Sequence, residues 1–186
     1  MLLQINQGFY ESLRLYPPTW ASTTAYAAGD LVKAVTYASH SYLCTIAGTT
    51  ASVEPTWSTS NGNTLSDNTV TWKVYDPKTY QIIAPQGSSA PYVVFGLITE
   101  TPIGDFADFE SVENLTYYVN VFSDKSPSDL SQKADNVMDA LDSASITASG
   151  FTSMKCQHEY IGSPLRDMDT NIYMSPLRFR LWLDKT

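Results

Sequence analysis

A chain of 186 residues, 43% hydrophobic and 16% charged, has the composition of a folded protein rather than a disordered one, and is long enough for one domain or two small ones. Its net charge of −8 argues against a protein that grips nucleic acid electrostatically, because phosphate binding recruits clustered lysine and arginine; an acidic surface that keeps the chain soluble, or lets DNA pass without sticking, is compatible with it. No apolar run approaches the roughly 18 residues needed to span a bilayer, and the first six residues lack the basic region of a signal peptide, so assembly in the cytoplasm is expected.

Leu2, Ile5, Phe9 and Leu13, with Tyr16, recur at steps of three and four and predict an amphipathic helix over residues 2–16, stopped by Pro17 and Pro18. A helix this short is marginal alone, so its apolar stripe must dock on something else, expected to be a sheet that begins near Tyr92. The stretch between them then reads as an insertion.

From Trp20 to about Tyr75 the composition turns to Thr, Ser, Ala, Gly and aromatics without helical periodicity, and Gly, Asn and Pro turns separate short strands. The order is Trp20, Tyr26, Gly29-Asp30, Tyr37, Tyr42, Pro55-Thr56-Trp57 and Val70-Thr71-Trp72. In this order the segment resembles the short carbohydrate-binding modules attached to chitinases, in the variant that recurs in phage tail and baseplate proteins. The resemblance implies a small β fold and makes Trp57, Tyr37 and Tyr42 candidates for stacking on sugar rings. The alternative is that so small a module needs its tryptophans as core, above all Trp20 and Trp72.

Pro85, Gly87 and Pro91 form a turn that delivers the apolar run Tyr92 to Ile98, the strongest strand in the sequence. Thr99 to Glu113 holds Pro102, Gly104 and five acidic residues, and predicts a long loop or a hairpin arm. Asp105, Asp108, Phe106 and Phe109 are its candidates for contact with a neighbouring subunit. Leu115 to Phe122 alternates as a second strand, with Tyr117, Val119 and Val121 on one face. A helix follows, with Ser126 as N-cap, Pro127 at its first position and a buried stripe of Leu130, Ala134, Val137, Met138 and Leu141.

Residues 151–161 and 171–183 predict two further strands joined by a polar turn. In the second, Leu177, Phe179, Leu181 and Leu183 face one way, while Arg178, Arg180 and Trp182 face the other. That basic-aromatic stripe either meets the acidic loop of a neighbour or faces water, and Pro176 suggests a strand edge or bulge.

Sites for chemistry are sparse. Cys44 with His40 and Cys156 with His158 fall in different domains and make a poor zinc site, and the thiols are expected to be free. There is no nucleophile elbow, phosphate-binding glycine loop or His-Glu-x-x-His motif, so no catalytic residue, metal or cofactor is expected.

The Ala84-to-Gly87 turn, the Pro-Tyr-Val-Val opening at Pro91 to Val94, and the long strand, helix and late strand pair that follow resemble the tail terminator, or tail completion, family of long-tailed phages. The resemblance covers residues 1–16 and about 77–186. It implies a ring, expected to be a hexamer, at the head-proximal end of the tail tube, where it stops tube polymerisation, joins the head connector and lets DNA through without specific binding. The alternatives are another neck or connector protein, or a virion adhesion protein that binds cell-surface carbohydrate. The expected fold is α+β: a mostly antiparallel sheet of about four strands with two packed helices over residues 1–16 and 77–186, and a small all-β module inserted at 17–76.

Overall fold

In the computed structural model residues 2–13, 17–36, 40–60, 62–75, 78–103, 112–142 and 144–185 are described. They divide into two compact units, Met1–Tyr16 with Lys78–Thr186, and Pro17–Pro77. The chain opens with helix α1 (Leu2–Leu13), whose Ile5, Phe9 and Leu13 stack at four-residue intervals and are fully buried. Gly8 sits mid-helix, where a side chain would stand 2.1 Å from the carbonyl oxygen of Thr147. Glycine costs about 1 kcal/mol relative to alanine in a helix interior, and this close crossing is what requires it.

The second unit contains β1 (Ala25–Tyr26), β2 (Leu31–Lys33), β3 (Ser41–Ile46), β4 (Gly48–Thr49), β5 (Thr64–Asp67) and β6 (Val70–Val74). β1 pairs with β4, and the others form an antiparallel sheet in the order β2-β3-β6-β5. Its core contains Trp20, Val32, Tyr42, Cys44, Val70, Trp72 and Val74. So small a module fills its interior with large aromatics, and their buried N–H groups then need acceptors. Asp67, itself buried, supplies them: its Oδ2 accepts the indole N–H of Trp20 at 2.8 Å and of Trp72 at 3.0 Å, while Oδ1 accepts the Ala51 backbone N–H at 2.8 Å.

The first unit resumes with β7 (Lys78–Gln81), β8 (Tyr92–Ile103), β9 (Val112–Ser123), helix α2 (Pro127–Leu141), β10 (Phe151–Ile161), β11 (Leu165–Arg166) and β12 (Tyr173–Lys185). The sheet runs β10-β12-β9-β8-β7 with β11 beside β12, so the α+β class stands, but the expected four-strand sheet has six strands. The two additions are β7, four residues in parallel register with β8, and β11, two residues inside the expected polar turn; both are too short to show alternation. The segment 99–113, expected as a loop or a hairpin arm, takes the hairpin form where described: β8 and β9 stay paired as far as Ile103 and Val112.

Along β9 burial alternates strictly, and Leu115, Tyr117, Val119, Val121 and Ser123 point to the helical side. The Ser126 hydroxyl caps α2 by accepting the Asp129 N–H at 3.1 Å. Leu130, Ala134, Val137 and Leu141 are buried, and so, unexpectedly for a charged residue, is Lys133. It lies 2.6 Å from Asp129, whose carboxylate also accepts the Ser123 hydroxyl. Burial works against the charged form of Asp129, but these bonds outweigh it and hold its carboxyl below its ordinary value.

β12 runs between β10 and β9, so Pro176 does not mark a sheet edge, as its residue type had suggested. It falls where one side of β12 changes partner. The β10 register ends at Leu177, the β11 register begins at Met174, and the Gly162 N–H reaches the Pro176 carbonyl at 2.8 Å. A residue without an N–H costs least at such a break in the ladder.

Candidate functional site

The helices cover one face of the six-stranded sheet, and the opposite face carries no helix among the described residues. β12 builds the centre of that open face. Leu177, Phe179, Leu181 and Leu183 are buried on the helical side, so the period of two presents Arg178, Arg180 and Trp182 outward. The Arg180 guanidinium sits 2.6 Å from Glu159 Oε1 and 5.7 Å from the centre of the Trp182 ring. Opposite these three, β9 places Tyr118, Thr116 and Asn114, and β10 places Tyr160, Gln157 and Lys155.

At one end the face becomes aromatic. Tyr92 and Phe122 stack with centroids 4.5 Å apart, and the Tyr118 ring lies across Gly96, where a side chain would stand 2.5 Å from its hydroxyl. The Tyr118 hydroxyl donates to the Ile82 carbonyl at 3.3 Å, bringing the exposed Ile82 and Ile83 to the rim of a groove of about 380 Å³ lined also by Val94. Trp, Tyr, Phe and Arg are the residue types enriched where proteins meet.

Of the interface candidates, Arg178, Arg180 and Trp182 thus share one surface, whereas Asp105, Phe106, Asp108 and Phe109 lie outside the described residues. The Tyr92–Phe122 stack and Lys155 were not among the sequence candidates. The alternation of Tyr118, Asn120 and Phe122 was visible, but only the register shows that it continues the β12 stripe.

In the second unit Tyr42 is fully buried, its hydroxyl donating to the Ser58 carbonyl at 3.1 Å, and offers no free ring face. Trp57 is half-buried against it, with ring centroids 4.0 Å apart. The Trp57 indole donates to Glu54 Oε1 at 2.8 Å, and the same oxygen accepts the Val35 N–H at 2.6 Å. Burial opposes ionisation of Glu54, but these bonds hold its carboxyl below the ordinary value. Tyr37 lies outside the described residues.

Among the described residues no group of three or more His, Cys, Asp or Glu side chains is placed to hold a metal ion, and no helix is long and apolar enough to cross a membrane. Cys44 and Cys156 are free and buried, and burial pushes the Cys156 thiol up to about 12, which leaves it protonated and a poor nucleophile. His158 is exposed, with Nδ1 3.9 Å from an Asp142 carboxylate oxygen.

No curated protein matches the chain. Among solved structures, a chain from the virion of a native gene transfer agent particle is similar at 19% identity and a TM-score of 0.45, covering 57% of this chain and 78% of that one. The family model described as tail completion protein gp17 matches residues 65–184, from β5 through nearly all of β12. That match spans more than half of the sequence, and the chain belongs to the tail completion protein family.

Proposed function

We propose that this phage tail structural protein forms a ring, a hexamer, at the head-proximal end of the tail tube. There it ends tube polymerisation and joins the tail to the head connector. The family match over residues 65–184 carries this reading. The mechanism is geometric and non-enzymatic: one ring face complements the last ring of tube subunits, and the other accepts no further tube subunit. Arg178, Arg180 and Trp182, outward on the open sheet face, are the proposed subunit contacts. Asp105, Phe106, Asp108 and Phe109, which fall between β8 and β9 in the sequence, are a second set. DNA passes the ring without specific binding, in keeping with the net charge of −8. Purified protein added to elongating tail-tube subunits should halt growth at one end; tubes that elongate unchanged in its presence would contradict the reading.

A second activity, sugar binding by the Pro17–Pro77 unit, is favoured by one observation: Trp57 is only partly buried, and its indole is held by Glu54. Chitin oligosaccharides should shift tryptophan fluorescence, and a flat titration would remove this ligand class.

A further inference from the structure

The β10 edge of the sheet is poorly suited to pairing with another chain. β10, the long edge strand, carries register irregularities between Ser153 and Lys155 and between His158 and Tyr160, with the charged Lys155 and Glu159 beside them; at the other side β7 pairs with residues 92–95 of β8 only, and residues 96–103 have no strand on that side among the described residues. Bulges, charges and shortness are the devices that keep sheet edges from pairing. The two broad faces of the unit are its larger surfaces.

Those faces differ in charge. On the outward stripe of α2 every charged residue is acidic: Asp135 and Asp139, followed by Asp142 at the C-cap. The only basic residue of the helix, Lys133, is buried against Asp129. The open sheet face instead presents Arg178 and Lys155, both exposed, beside the Arg180–Glu159 pair, with the partly exposed Asp184 at the end of the row, so its balance is basic in a protein that is strongly acidic as a whole.

We propose that the open sheet face docks on the acidic outer face of α2 in a second copy of this chain, with Arg178 and Lys155 meeting Asp135 and Asp139. Because the two surfaces are different, the contact is head-to-tail, and head-to-tail contacts close into rings when the rotation per subunit allows. The surface that receives Arg178 and Lys155 is then α2. This inference rests on the ring reading above and specifies its subunit contact.

Two double variants of the full chain test it: Arg178→Glu with Lys155→Glu, and Asp135→Lys with Asp139→Lys. All four residues are exposed, so each variant should keep the wild-type near-ultraviolet circular dichroism. Sedimentation should show each alone assembling at least tenfold more weakly than wild type. An equimolar mixture should recover assembly, since every junction in an alternating ring then pairs opposite charges. Variants that assemble like wild type, or a mixture as dissociated as its components, would overturn this docking and leave the ring reading intact. A wild-type chain that stays monomeric at every concentration would overturn both.

Discussion

Phe9 of α1 stacks on Tyr117 of β9, with ring centroids 4.3 Å apart and planes inclined by 12°. One residue lies before the Pro17–Pro77 unit in the sequence and the other well after it, so the contact joins the N-terminal helix to the sheet across the whole inserted segment. The Tyr117 hydroxyl also donates to Asn6 Oδ1 at 2.7 Å, and burial raises its phenol pKa. Phe9→Ala should destabilise the first unit by about 3–5 kcal/mol, through lost transfer energy and the cavity left behind. Chemical denaturation of the full chain checks this.

Asp67 should matter as much to the other unit. Asp67→Ala strands the indole N–H groups of Trp20 and Trp72 and the Ala51 N–H in a buried setting. With each unmet donor costing about 1–3 kcal/mol, the unit should lose at least about 3 kcal/mol. Faster exchange of the indole protons in nuclear magnetic resonance spectra would report it, while amides of β8, β9 and β12 keep their protection.

Acid should weaken the first unit through Asp129. Its folded-state pKa is depressed, so its contribution to stability is fully present above the ordinary aspartate value of about 3.9 and is lost as pH falls through the lower folded value. Asp129→Asn should flatten that part of the acid response. It should also cost about 2–3 kcal/mol at neutral pH, because buried Lys133 loses its counter-charge. Thermal melts of both proteins between pH 2 and about pH 7 decide the point.

Much of this architecture is legible in the sequence wherever a periodic pattern is long enough to repeat. The stripe Ile5, Phe9, Leu13, the alternation around Tyr117 and the Ser126-Pro127 cap each give an element its place and its buried side. Elements set by long-range pairing are not: β7 exists because β8 lies beside it, and Pro176 fits a central strand because β10 and β11 hand over there. Lys133 reads as a surface residue until Asp129 and Ser123 are seen around it. Of the candidate site, the Arg178-Arg180-Trp182 row follows from period two alone, but the surface it belongs to needs the registers with β9 and β10. Tyr42 passes for a ligand-facing aromatic because composition cannot tell a module's few core rings from its exposed ones.

Replacing residues 17–77 by a short Gly/Ser bridge should leave the first unit folded, since α1 and the β7–β12 sheet form a compact unit without them. Retained near-ultraviolet signal from the Phe9–Tyr117 region and a single cooperative melt are expected. An insoluble or unfolded product would mean that the segment is part of one folding unit.

The most direct test of the terminator role is the tail-length distribution, by negative-stain electron microscopy, in lysates of the parent phage with this gene disrupted. The account predicts overlong tails that are not joined to heads. Tails of normal length attached to heads would contradict it and leave adsorption through the Pro17–Pro77 unit as the reading to pursue.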